Sequence, residues 1–353
     1  MHHAHRSIAT LLASLMLFAG VAFASPAEAA ISTWWVDIAT GDNANAGTET
    51  APFRTISAAI AHAAVGDTIM VMPGVYGAEA EQTFPIVFPP GVHLLSTDGA
   101  GVTTIRGDGM NDVIRVINAT SGTEIAGFTI TDVGGSGLRG INITRGVGAG
   151  TIGSPLIQEC VIEACGNLSS TGGGLHAEGA SGWPAAPIVR DTIFRDNVAD
   201  EGGGAYLGTY TDASFIGCTF EGNAAFRGGG LCTRTQVGLE VKESVFEQNA
   251  GEGPGGGLDA EAGGGELLIE RTKFRENTAE TGGGLYVTQY NGIYDSLSIL
   301  GNSADKGGGM FHDAGFPTLT NCLIAGNDAA FGGASWNRES TLYIYYSTIA
   351  DNT

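Results

Sequence analysis

The chain has 353 residues, 57 of them glycine, and 16 Lys and Arg against 37 Asp and Glu give a formal charge of −21. A nucleic-acid binder needs a cationic face to neutralise phosphates, so that partner class is excluded. Hydrophobic residues make up 43% of the chain, enough for a core and too many for a disordered polymer.

Residues 1–29 read as a secretory signal. Arg6 gives a basic start, Ile8–Ala24 is apolar, and Ala27-Glu28-Ala29 offers a small-residue exit. Cleavage there predicts a secreted protein, extracellular or on a bacterial cell surface. No later segment approaches 18 apolar residues, so the mature chain is expected to carry no transmembrane segment. Asp37, Asp42, Asn43 and Asn45 then gather hard oxygens that suit Ca²⁺, although an Asp- and Asn-rich turn uses the same letters. Within residues 51–65, Ile56, Ala59, Ile60 and Ala63 share one helical face. That spacing predicts a short helix capping the apolar end of whatever follows.

Residues 30–156 are irregular, and residues 157–353 repeat. Asn recurs at 167, 197, 223, 249, 277, 302, 327 and 352. Three residues before each, from 197 onward, stand Phe194, Phe220, Phe246, Phe274, Ile299, Ile324 and Ile349. A glycine triplet follows most copies, as in Gly228-Gly229-Gly230. A period of this length marks a solenoid. Glycine triplets exclude helical repeats, and short β-branched or aromatic runs between turn signals favour strands. The prediction is an all-β, single-stranded right-handed parallel β-helix of eleven to thirteen turns, with internal files of Phe and of hydrogen-bonded Asn. Cys160, Cys165, Cys218, Cys232 and Cys322 are odd in number and lack metal-ligand spacing, which favours buried thiols. The chain stops mid-turn at Asp351-Asn352-Thr353, so it is expected to be a fragment of a longer coil.

Two resemblances accompany this pattern. Phe-Arg-Asp-Asn at 194–197, Phe-Glu-Gly-Asn at 220–223, Phe-Glu-Gln-Asn at 246–249 and Phe-Arg-Glu-Asn at 274–277 resemble the F-x-x-N half of the polymorphic outer membrane protein repeat. The partner motif departs from that family, being G-G-G-L in place of G-G-A-[IL]. Ala51–Ile56, Gly66–Val71 and Pro73-Gly74-Val75-Tyr76 resemble the start of the pectate-lyase-like superfamily, and Thr123–Ile130 resembles a coil of such proteins. The resemblances imply a right-handed parallel β-helix and a surface-adhesion or polysaccharide-active role.

Strand alternation places the candidate site. After each glycine triplet, Leu175, Ala205, Leu231, Leu258, Leu285 and Met310 are expected to point inward. The next residues, His176, Tyr206, Cys232, Asp259, Tyr286, Phe311 and Trp336, are then expected to face solvent. His176, Tyr206, Tyr286, Phe311 and Trp336 make a candidate substrate-binding column for sugar faces, though rings in register also stabilise one another. Asp259 and Glu261, ~7 Å apart by strand rise, with Arg234 one turn away, form the candidate catalytic group, in or near the carboxylate spacing of inverting glycosidases. A lyase would instead need Arg234 as an unprotonated base, which ordinary arginine does not allow. The expected function is a surface scaffold for binding or adhesion, directed to extracellular or cell-wall polysaccharide. The alternative is a polysaccharide lyase or glycoside hydrolase. Beyond Ca²⁺ no cofactor is implied, and oligomeric state is not readable.

Overall fold

The structure, a computed structural model, describes residues 31–132, 138–145, 153–235, 237–261 and 265–353. The predicted signal at 1–29 lies outside the described residues. From Ile31 to Thr353 the chain forms one compact unit, a right-handed parallel β-helix. Among the described residues the strands stack into four parallel sheets of 12, 10, 11 and 6 strands. The coil makes about ten turns, its longest wall stacking 12 strands, and some early coils consume more chain than later ones. Ile141 and Leu175, partners in adjacent strands, lie 34 residues apart.

One coil shows the plan. Val237–Lys242 belongs to the twelve-stranded wall, Val245–Glu247 to the eleven-stranded wall and Ala250–Gly251 to the short six-stranded wall. The glycine triplet then turns the chain into Leu258–Ala260 of the ten-stranded wall. Like residues lie above like, as Phe220↔Phe246 and Phe246↔Phe274 show. Four phenyl rings, Phe194, Phe220, Phe246 and Phe274, stack with centroids 4.5–4.8 Å apart and planes within 11° of parallel. Each is buried inside the coil, where offset stacking adds to the hydrophobic gain.

Beside the rings runs the asparagine file. In Asn223 the side-chain Nδ2 donates to Asn249 Oδ1 (3.0 Å) and to the Phe194 carbonyl (2.9 Å), while its main-chain N–H also donates to Asn249 Oδ1 (3.1 Å). The same bonds recur from Asn197 to Asn352. Each buried amide thereby satisfies both its own polarity and a turn that the sheets leave unpaired. Asn167 does not open this file. The N–H that bonds Asn197 Oδ1 belongs to Cys165, and Ile162 pairs with Phe194, so the copy below Asn197 reads Ile-Glu-Ala-Cys. All five cysteines are buried and free.

The glycine corners are tight for a steric reason. A Cβ on Gly230 would lie 2.5 Å from the Gly257 carbonyl oxygen of the next coil, closer than any side chain tolerates. At the other end the helix Ile56–Ile60 caps the coil. Thr55 Oγ1 accepts from the Ala58 N–H at its start (3.2 Å). Ile56 and Ala59 are buried, and Ile60 and Ala63 pack against the core, as the helical face predicts.

Candidate functional site

Near the first strand, the Asp- and Asn-rich segment is occupied by its own turn. Asp37 Oδ1 accepts from the Ala39 N–H and Asp42 Oδ1 from the Ala44 N–H, both at 2.9 Å. Asn43 Oδ1 accepts from the N–H groups of Arg54 and Thr55, and Asn45 Nδ2 donates to the Pro52 carbonyl. The Asp37 and Asp42 bonds are Asx-type turn bonds, and those of Asn43 and Asn45 tie the turn to the segment 52–55. Among the described residues no three His, Cys, Asp or Glu side chains are gathered to hold a metal ion.

The ten-stranded wall carries the predicted column in the expected register. His176 pairs with Tyr206, Tyr206 with Cys232, Cys232 with Asp259, Asp259 with Tyr286, Tyr286 with Phe311 and Phe311 with Trp336. Its solvent exposure is corrected by the structure. Cys232 and Asp259 are 0% exposed, Phe311 5% and His176 7%, while Tyr206, Tyr286 and Trp336 are half-buried. The reason is the short wall: the strand Ala224–Arg227 ends at the glycine corner, and its last side chain reaches across the outer side of the ten-stranded wall. The column therefore lies along the floor of an angle between two walls, not on an open face.

At the centre of this angle the predicted group of Asp259, Glu261 and Arg234 does come together, with two partners the sequence reading missed. Arg227 Nε donates to Asp259 Oδ2 (2.8 Å), and Arg227 Nη1 stands 3.5 Å from Glu261 Oε2. Arg234 pairs with Glu261 on one side and, through Nε at 2.9 Å, with Glu201 on the other. Glu201 and Arg227 are partners in neighbouring strands of the short wall. Each stands immediately before a glycine triplet, and that position is the signal by which they were findable. Burial pushes the Asp259 carboxyl up to about 6, against the opposing pull of Arg227. Its Oδ1 has no hydrogen-bond partner among the described residues. Burial also raises the Cys232 thiol well above its usual range and the Tyr206 phenol to about 12.

Rings flank this centre. His176 stacks on Tyr206 (centroids 5.2 Å) and Tyr286 on Phe311 (5.1 Å). Trp336 does not continue the second stack but meets Phe331 of the short wall edge-on at 5.4 Å. Beside the rings, Glu178 lies 3.8 Å from His176 Nε2, which holds its carboxyl below the usual range, and Arg338 pairs with Asp313 through Nε at 2.8 Å. A second buried carboxylate, Asp112, lies further along the same wall and accepts from Arg115 and from Asn142 Nδ2, each at 2.8 Å.

Comparison with known proteins agrees on architecture. Residues 39–169 match a family described as a protein of unknown function (DUF1565). No curated protein sequence matches the chain. Among solved structures, the crystal structure of pectate lyase Pel9A superposes with a TM-score of 0.52 at 14% identity, over 88% of this chain and 78% of that one. The tailspike protein gp49 from Acinetobacter baumannii bacteriophage Fri1, a capsular polysaccharide depolymerase, gives 0.42 at 13% identity, over 81% and 57%. A rhamnogalacturonan lyase gives 0.36 at 11% identity, over 90% and 87%. At these identities the likeness is one of fold, which is shared by many chemistries.

Proposed function

We propose that the chain is a secreted or cell-surface β-helix that binds carbohydrate along the angle between the ten-stranded and six-stranded walls. One observation carries this reading: Tyr206, Tyr286 and Trp336 stand half-buried in a single register file, beside Glu178, Arg234, Glu261, Asp313 and Arg338. Ring faces that stack on the apolar side of a sugar, next to charged groups that bond its hydroxyls, are what an elongated glycan requires. From His176 to Trp336 the file spans six strand steps, ~29 Å. The signal-like residues 1–29 support an extracellular setting, and the fold is that of a pectate lyase. Affinity electrophoresis against a panel of neutral and charged polysaccharides tests the reading. Retardation of the wild type, reduced by Tyr286→Ala and by Trp336→Ala, is expected. Unchanged mobility of the wild type in every gel would refute it.

A second reading, turnover of the bound polysaccharide, is favoured by the Asp259 carboxyl. A buried carboxyl lifted to about 6, two residues from Glu261 on the same strand end, suits the general-acid role in a glycoside hydrolase. Arg234, gripped by Glu201 and Glu261, serves here as an ion-pair cation and not as a lyase base. Reducing-end and unsaturated-product assays on the same panel distinguish the two. Turnover that disappears in the Asp259→Asn, Glu261→Gln double variant would establish the enzyme, and binding without products the scaffold.

A further inference from the structure

The connection from the ten-stranded to the twelve-stranded wall varies in length, and the variation opens a cavity. Ala177, Leu207 and Thr233 are register partners at its start, and Ala185, Thr211 and Val237 at its end. Two successive coils therefore cross in three residues each, 208–210 and 234–236, while the coil before them takes seven, 178–184. The surplus folds into a small hairpin. Ala180 and Trp183 exchange main-chain hydrogen bonds at 3.0 and 2.8 Å, and the Arg145 guanidinium lies over the Trp183 ring, 5.8 Å from its centre. Gly182 and Pro184 of the hairpin line one side of a cavity of about 610 Å³ and Glu266 lines the other, with Tyr210, Asp212 and Gly238 between them.

The floor is open because of one glycine. In Thr211–Ile216 buried and outward residues alternate, and Asp212 faces out. Asp212 pairs with Gly238, and Glu266 comes next in the same row, since Leu239 pairs with Leu267. The two acidic residues therefore flank Gly238, two strand steps or ~10 Å apart along the wall. A Cβ on Gly238 would lie 2.4 Å from Asp212 Oδ1, so Asp212 leans across the space that Gly238 leaves empty. Both acidic residues are exposed, and neither side chain makes a hydrogen bond or ion pair among the described residues. Their oxygens are accessible and uncommitted, in contrast to the paired carboxylates around Arg227 and Arg234.

The lining selects among ligands. Its volume falls in the range of small-molecule sites, ~300–1,000 Å³. No Lys, Arg or His lines it among the described residues, so a phosphate or a uronate would meet two like charges and no counter-charge. Tyr210 and Pro184 supply apolar surface for the C–H face of a pyranose. Sugar hydroxyls donate to carboxylates in charge-assisted bonds, and the bare backbone at Gly182 and Gly238 lets a ring approach closely.

We infer that this cavity is a second carbohydrate site, which takes a neutral pyranose unit with Asp212 and Glu266 accepting from its hydroxyls and Tyr210 beside its apolar face. The site lies past the strand ends of the ten-stranded wall, apart from the file of Tyr206, Tyr286 and Trp336, and goes beyond the reading given for that file.

Saturation-transfer NMR on the full chain tests the site, using di- and trisaccharides of glucose, galactose and mannose, a galacturonate trisaccharide and a trilysine peptide. At least one neutral sugar is expected to bind, with an affinity that high salt leaves unchanged, and the galacturonate is expected not to. The double variant Asp212→Ala, Glu266→Ala should weaken that binding at least about tenfold, and so should Gly238→Val. All three positions lie on the outer surface, and the Gly238 substitution displaces only the mobile end of Asp212, so unchanged circular dichroism is expected for these variants. The pair Tyr286→Ala, Trp336→Ala should leave the same binding intact. Loss in that pair, with full binding in the Asp212, Glu266 and Gly238 variants, would overturn the second site and leave the file reading standing. Absence of binding by every neutral sugar would overturn it as well, and the polysaccharide gels then judge the file separately. Trilysine bound more tightly than any sugar, and released by salt and by the Asp212 and Glu266 substitutions, would show a seat for a cationic chain and refute the proposal.

Discussion

Arg227 Nε bonds Asp259 Oδ2 at 2.8 Å across the boundary between two walls and from one coil to the next. The bond ties the end of a short-wall strand to the floor of the proposed binding angle. Truncating Asp259 to Ala would leave Arg227, 19% exposed at its side chain, without its main partner. A loss of ~3–5 kcal/mol is expected for breaking a buried pair on one side, against less for Asp259→Asn, which keeps an acceptor. Urea unfolding of the two variants measures the difference.

The raised Asp259 carboxyl sets a pH dependence. Its ordinary value is ~3.9 and in the folded chain it is about 6, so between these values the native state holds the proton that the unfolded chain has released. Stability from this group is therefore present below about pH 4 and lost as pH rises through about 6. Relative to Asp259→Asn, wild-type unfolding free energy should fall by up to ~3 kcal/mol across that window. A difference that stays constant from pH 4 to 6 would contradict the assignment.

Asn249 sits mid-file. Its Oδ1 accepts from both the N–H and the Nδ2 of Asn223, and its Nδ2 donates to Asn277 Oδ1 and to the Phe220 carbonyl. Asn249→Ala strands several buried groups, at ~1–3 kcal/mol for each left unsatisfied. A fall in Tm of many degrees is expected by calorimetry. Asn352→Ala, at a partly exposed position of the file, should cost clearly less.

Two glycines make a paired steric test. Gly230→Ala would drive a methyl against the Gly257 carbonyl and the Phe246 ring, and soluble folded yield should collapse. Gly301, unlike Gly230, has a positive φ, but its nearest neighbour is a flexible Glu276 carbon at 3.9 Å. Gly301→Ala should cost only the left-handed backbone penalty, ~1–2 kcal/mol.

Phe246 lies between two stacked rings at 4.5 and 4.8 Å. Phe246→Ala should destabilise by ~3–5 kcal/mol, more than Ile349→Ala, since Ile349 is 48% exposed. Chemical denaturation of both variants checks the order.

The register was legible because each coil repeats its letters: aligning Phe220 with Phe246, or Tyr286 with Phe311, needs only the spacing of Asn and glycine. Burial of the site file was not. Alternation tells which side of its own strand Asp259 takes, and is silent on whether that side meets water or a second wall. The short wall is also weakly signalled, its strands being small-residue runs such as Ala224–Arg227 and Ala250–Gly251. The start of the amide file was misplaced for a chemical reason. Cys165 contributes only its main-chain N–H to that bond, so the nearby Asn167 looked like the better letter.

Since successive coils meet through matching rungs, duplicating or deleting one whole repeat would lengthen or shorten the proposed binding angle by a single strand spacing, ~4.8 Å. The distance between Tyr206 and Tyr286 is thus quantised. A protein built this way is free to retune the length of that angle by copying a segment of its own gene, leaving every side chain in the rest of it unaltered.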